Sequence, residues 1–86
     1  MTAENISNTE LDTTIRRALA EVLSIHVEQV TPSVNLVEDL GLDSLDSAEV
    51  AVILRERGIP LTKSAILQVA TPAELITLAT DAMASS

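Results

Sequence analysis

Apolar residues recur at helical spacing in four stretches of the chain, and one long stretch between the first two breaks that rhythm. Leu11, Ile15, Ala18, Leu19, Val22 and Leu23 fall on one face of an amphipathic helix. Ser7 followed by Glu10 has the pattern of a capping box, so this helix is predicted to run from about Thr9 to Ser24, with residues 1–6 fraying ahead of it. A second helix is predicted to begin at Asp43 or Ser44. Asp43 suits the N-cap, Asp46 stands three residues on, and negative charge in a first turn is favoured by the helix dipole. Leu45, Ala48, Val50, Ala51, Ile53 and Leu54 make this helix apolar nearly all round, which predicts a central place in the fold. It should stop at Arg55-Glu56-Arg57-Gly58, where the arginines complement the negative end of the dipole and Gly58 supplies a left-handed residue.

Ile59-Pro60-Leu61 reads as extended, since proline restricts both itself and the residue before it. LTKSAILQVA then has room for two turns, with Ala65, Ile66, Leu67 and Val69 facing inward, and this third helix should be the shortest. Thr71-Pro72-Ala73-Glu74 combines an N-cap, a proline at the first helical position and a capping-box acid. The fourth helix follows, burying Leu75, Ile76, Leu78, Ala79, Ala82 and Met83, with residues 84–86 as a tail. The predicted fold is all-α: a four-helix bundle of three main helices and a short third one, in a single domain spanning residues 1–86.

The gap in the rhythm is SIHVEQVTPSVNLVEDLGLD. A connection of that length inside a small domain either conceals short turns or serves function. Ile25, Val27, Val30, Val34, Leu36 and Leu40 are placed to pin it across the helix ends, Pro32 prevents an unbroken helix, and Gly41 stands where a chain reversal needs positive φ.

Composition narrows the chemistry. Hydrophobic residues make up 47% of the sequence, yet Phe, Trp and Tyr are absent, so the core is aliphatic. With no cysteine there is neither a disulfide nor a thiolate metal site. The N-terminal stretch has no basic start or apolar run, and AEVAVIL is too short to cross a bilayer, so the protein is expected to be cytoplasmic and soluble; a monomer is expected as well. The formal charge is −8, and Glu38, Asp39, Asp43, Asp46 and Glu49 cluster with no base among them. Such a patch repels nucleic acid and anionic membranes and attracts basic protein surfaces. Taken alone it also fits a plain solvated face.

No catalytic constellation emerges. Ser44 lacks the nucleophile elbow, and His26, the only histidine, lies in another segment with no evident partner. Paired carboxylates without aromatic walls do not make a glycosidase cleft, the acids miss calcium-loop spacing, and two glycines cannot build a phosphate-cradling loop. Ser44 is therefore read as an accessible, fixed attachment point where a loop becomes a helix.

The stretch VEDLGLDSLDSAEV, within an acidic chain of this length, closely resembles the modification site of acyl carrier proteins, and the resemblance extends from the first helix to about Met83. Asp-Ser-Leu alone is a weak match. The preceding VEDLG, the acids at Asp46 and Glu49, the Ile-Pro past the second helix and the Thr-Pro cap of the last one make it specific.

The resemblance implies that Ser44 carries 4′-phosphopantetheine, installed from coenzyme A by a separate phosphopantetheinyl transferase. The terminal thiol would hold an acyl or aminoacyl thioester. An acyl- or aminoacyl-activating ligase would load it, and synthase, condensing or acyltransferase enzymes of fatty acid, polyketide or nonribosomal lipopeptide biosynthesis would receive the group. The protein itself would be no enzyme. Asp43, Asp46 and Glu49 match the acidic positions that family members present to basic partner surfaces, with Leu45 and Ala48 at the edge of that face. Val50, Ile53, Leu54, Ile66 and Leu75 are candidates to shelter a short acyl chain, against the plainer reading that they simply pack the core.

The chain departs from fatty-acid-synthesis carriers in having Arg55 and Arg57 where the acidic run usually continues, Leu36 at a common aromatic position, and a shorter passage from the second helix to Ile-Pro. These departures point to a discrete carrier of a specialised pathway. Two other classes are compatible with the residues: an acidic helical adaptor in which Ser44 only caps a helix, and a regulatory domain whose Ser44 accepts phosphate from a kinase.

Overall fold

The computed structural model describes residues 8–84, and the regular elements among them are all helical: α1 (Asn8–Leu23), α2 (Ser44–Glu56), α3 (Lys63–Gln68) and α4 (Pro72–Ala84), besides one 3-10 turn. The proposed Ser7 cap lies outside the described residues. Helix α1 packs against both α2 and α4, and α3 packs against α2, giving the expected bundle of three main helices and a short third. Leu11, Ile15, Ala18 and Leu19 of α1 are buried as their spacing requires, and Ala20 joins them.

Helix α1 stops one residue earlier than its pattern suggests. Ser24 adopts φ 58°, and Ile25 N–H donates to Ala20 O at 3.0 Å, the closing bond of a left-handed C-terminal turn. Glycine normally takes that position, so serine here holds a backbone that an L-residue disfavours.

The connection from Ser24 to Asp43 contains turns of its own. Val27–Gln29 is one 3-10 turn, and Asn35 organises the next. Its Oδ1 accepts from the N–H groups of Val37 and Glu38, while Asp39 Oδ2 accepts from Asn35 N–H at 2.9 Å. Gly41 (φ 75°) then reverses the chain, and Leu42 N–H returns to Leu36 O at 2.9 Å. Nothing lies within 4 Å of where a Cβ on Gly41 would stand, so the backbone angle and not crowding demands glycine there.

Tertiary anchors hold the loop. Val30 and Leu36 are fully buried, Leu36 N–H donates to Ala70 O at 2.8 Å, and Ala73 N–H donates to Pro32 O at 3.1 Å. Arg16 of α1 donates from Nε to Val30 O at 2.8 Å and from its Nη2 to Val27 O at 3.2 Å. Its Nη1 stands 3.7 Å from Asp12 Oδ1, an ion-pair distance too long for a hydrogen bond, so that buried oxygen has no hydrogen-bond partner among the described residues. One guanidinium thus satisfies two loop carbonyls.

Two inward assignments need correction. Leu67 of α3 is 39% exposed, since six residues present only one fully buried position to the core and Ile66 takes it. In α2 the apolar surface is not buried all round. Val50, Ala51 and Leu54 face the core with Ser47, whose Oγ donates to Asp43 O at 2.9 Å, while Leu45 and Val52 face water. Helix α4 opens as its sequence specifies: Thr71 Oγ1 accepts from Glu74 N–H, Pro72 is buried, and Glu74 Oε1 reaches back to Ala70 N–H, one residue before the N-cap.

Candidate functional site

Ser44 is the first residue of α2, at the outlet of the pinned loop. Asp43 sits before it with extended backbone (φ −118°, ψ −174°), and its Oδ1 accepts from Asp46 N–H at 2.8 Å. Asp46 Oδ2 accepts in return from Asp43 N–H at 3.3 Å, completing a reciprocal capping box built from two aspartates. Ser44 is enclosed by this box in sequence but takes no part in it. Its side chain is exposed and, among the described residues, makes no hydrogen bond.

The adaptor reading made Ser44 the cap, and the geometry gives that role to Asp43. Buried anchors fix the loop, the capping box fixes the first turn, and a free hydroxyl stands at the junction. The start of a helix also favours negative charge, which suits a phosphodiester on that hydroxyl.

The other candidate residues separate by role. Leu45 is 68% exposed, Ala48 is half-buried and Glu49 is exposed. The Glu49 carboxylate makes no hydrogen bond or ion pair among the described residues, whereas the carboxylates of Asp43 and Asp46 are partly engaged by backbone N–H groups. Val52, which the apolar pattern left undistinguished within α2, is 55% exposed and lies seven residues after Leu45, on the same side of the helix. The signal that could have found it is the i, i+7 repeat from Leu45 through an acid at Glu49. Val52, Ile53 and Glu49 form one wall of a surface cleft of about 420 Å³, and Glu21 and Val22 of α1 form the other.

Of the five candidates for sheltering an acyl chain, Val50, Leu54, Ile66 and Leu75 are fully buried in the core, and Ile53 borders the cleft. His26 is exposed, with its backbone N–H bonded to Gln29 Oε1 at 2.9 Å. No helix of the described residues is long and apolar enough to cross a membrane, and no group of three or more His, Cys, Asp or Glu residues there is placed to hold a metal ion.

The family model for the phosphopantetheine attachment site matches residues 13–79, which include the capping box and all of α2 and α3. The chain belongs to this family of phosphopantetheine-bearing acyl carrier proteins, whose cofactor is 4′-phosphopantetheine. It is 37% identical to an acyl carrier protein of Saccharopolyspora erythraea over 81% of this chain and 75% of the relative. It is 44% identical to an acyl carrier protein of Helicobacter pylori over 50% of this chain and 55% of that protein. It is also 43% identical, over 67% of its own length, to a nonribosomal peptide synthetase of Ceriporiopsis subvermispora, of which it spans only 2%. A nonribosomal peptide synthetase of Aspergillus fumigatus is 41% identical over 63% of this chain, which spans 1% of it.

Proposed function

We propose that Ser44 is the residue of this carrier that bears 4′-phosphopantetheine, and that the chain serves a specialised pathway as a discrete acyl or aminoacyl carrier. The observation that carries the assignment of the site is the exposed, unbonded Ser44 hydroxyl at the first residue of α2, next to a cap that Asp43 and not Ser44 provides. When bound, the prosthetic group supplies a thiol that holds the cargo as a thioester. The chain's own residues hold the attachment oxygen still and present a face to partner enzymes. That no cysteine and no base is needed follows from this division of labour.

The docking face on this reading is Asp43, Leu45, Asp46, Ala48 and Glu49, extended by Val52. Its apolar stripe lies along an acidic border, which suits a phosphopantetheinyl transferase, an activating ligase and an acyl-receiving synthase with basic rims around an apolar contact. The specialised pathway is supported by likeness to both bacterial acyl carrier proteins and nonribosomal peptide synthetases, and by the basic residues Arg55 and Arg57.

The test is intact-protein mass after incubation with coenzyme A and a broad-specificity phosphopantetheinyl transferase. The wild type gains one phosphopantetheinyl group and Ser44→Ala gains none. A mass gain retained by Ser44→Ala would refute the site, and no gain in either protein with the host's own transferase would refute the carrier function.

A further inference from the structure

Arg17 of α1 and Arg57, which caps the C-terminus of α2, line one pocket of about 190 Å³ together with Thr13, Thr14, Ala18, Glu21 and Ile53. In a chain of 13 acids and 5 bases, two arginines from different helices lining one concavity call for an explanation. Neither has an ion-pair partner among the described residues, in contrast to Arg16, which pairs with Asp12 and binds two carbonyls. The hydroxyls are free as well. Thr77 and Thr80 of α4 donate to carbonyls one turn back at 3.1 and 2.9 Å, whereas Thr13 and Thr14 make no such bond among the described residues.

Complementing the α2 dipole accounts for a base at Arg57, but it does not account for Arg17 on a different helix or for the paired threonines. The geometry points to a receptor for a single carboxylate presented by a partner protein: an Asp or Glu side chain that enters between Arg17 and Arg57 when the carrier docks. The charge count selects that ligand. Two guanidiniums and the Glu21 carboxylate on the same wall leave one net positive charge, which one carboxylate neutralises and a phosphate dianion exceeds.

The surroundings fit a protein side chain better than a free ion. Ala18 and Ile53 give the pocket apolar walls for an aliphatic stem. Glu21 and Ile53 border both this pocket and the larger cleft with Val22 and Val52, so the two concavities adjoin and an apolar neighbour of the acid has a seat next door. Arg57 lies thirteen residues from Ser44, about 20 Å along the helix at a rise of ~1.5 Å per residue. The carrier's dedicated partner therefore meets it with basic groups near Ser44 and an acid about 20 Å away. This rests on the carrier reading, and partners with wholly basic docking surfaces are disfavoured by the same arginines.

The test uses the full chain converted to its phosphopantetheinylated form, with the mass gain recorded first. Amide NMR shifts are then followed during titration with acetyl-glutamate amide and with its neutral isostere acetyl-glutamine amide at constant ionic strength. Saturable shifts at Thr13, Thr14, Ala18 and Arg57 are expected with the glutamate probe only, and Arg17→Gln or Arg57→Gln should each weaken binding about tenfold. Absent or non-saturating shifts, equal shifts with both probes, or unchanged affinity in the two variants would each overturn the proposal. Inorganic phosphate binding more tightly than the glutamate probe would overturn it too, by assigning the pocket to a free anion. A sample that gains mass yet shows no shift sinks the pocket alone, while failure to gain mass sinks the carrier reading beneath it.

Discussion

The two segments that meet at Ser44 both bury apolar side chains, but α2 also shows a pair of them to water, where the loop shows Val37. The loop before it, from Ser24 to Asp43, has no regular helix longer than one 3-10 turn, yet it buries Val30, Leu36 and Leu42 and is tied to α1 and to the α3–α4 corner by hydrogen bonds. Helix α2 after it is regular, yet leaves Leu45 and Val52 mostly in water. The irregular segment is thus mainly an anchor, while α2 buries Val50, Ala51 and Leu54 on one side and presents the other. Fixing a hydroxyl in place requires buried contacts on the side that does not have to be read, and recognition requires unburied ones on the side that does.

If that division is right, damage to the loop should register as lost stability and damage to the outer face of α2 as lost partner turnover. The largest effect is expected from Leu36→Ala. A fully buried leucine anchoring the loop loses its contacts and leaves a cavity, costing about 2–5 kcal/mol, read as a lower midpoint in denaturant unfolding. A cost below about 1 kcal/mol would mean that the loop is not held as described. Arg16→Met comes next, at about 1.5–3 kcal/mol, because two loop carbonyls lose a charged donor while the aliphatic stem is largely replaced. Faster amide exchange confined to the segment around Val27–Val30 would tie that loss to the loop.

Asp43→Ala should cost about 0.5–2 kcal/mol, since the box at the start of α2 loses its main acceptor. Ser44→Ala should fall well short of that, because Ser44 accepts no N–H of the first turn. A cap-sized loss in Ser44→Ala with little in Asp43→Ala would reverse the assignment and revive the adaptor reading.

Much of this contrast was legible in the sequence, for definite reasons. The Asp43–Asp46 box, the Gly58 stop (φ 85°) and the Thr71-Pro72 start depend on local hydrogen bonds and dihedral angles that a few neighbouring residues decide. The serine's position follows from those boundaries. What depended on distant packing was less visible. Arg16 is an ordinary surface residue by pattern, and only the loop folding back to within hydrogen-bonding range makes it a clamp. The end of α1 was legible to within one residue, but its left-handed turn was hidden because serine does not announce one as glycine does. Leu67 and Val52 were hidden because hydrophobicity specifies that a side chain would gain by burial, while only the neighbouring helices specify whether a neighbour is there to cover it.

The smallest effect on stability, and the sharpest test of the comparison, is expected at the outer face itself. Val52→Ser and Glu49→Lys should each change stability by no more than about 0.5 kcal/mol, because Val52 is 55% exposed and the Glu49 carboxylate has no partner among the described residues. Glu49→Lys separates docking from folding more cleanly than Asp46→Lys does, since Asp46 also accepts Asp43 N–H and its loss disturbs the box. With a transferase of basic docking surface, Glu49→Lys should lower kcat/KM most at low salt and converge on wild type as ionic strength rises, the signature of screened steering. Val52→Ser should lower kcat/KM with little dependence on salt, since apolar contact is not screened by ions. Equal salt profiles for the two variants would mean that acid and apolar residues do not act as separate parts of one face. Normal turnover in both would leave α2 exposing Leu45 and Val52 for no partner that reads them.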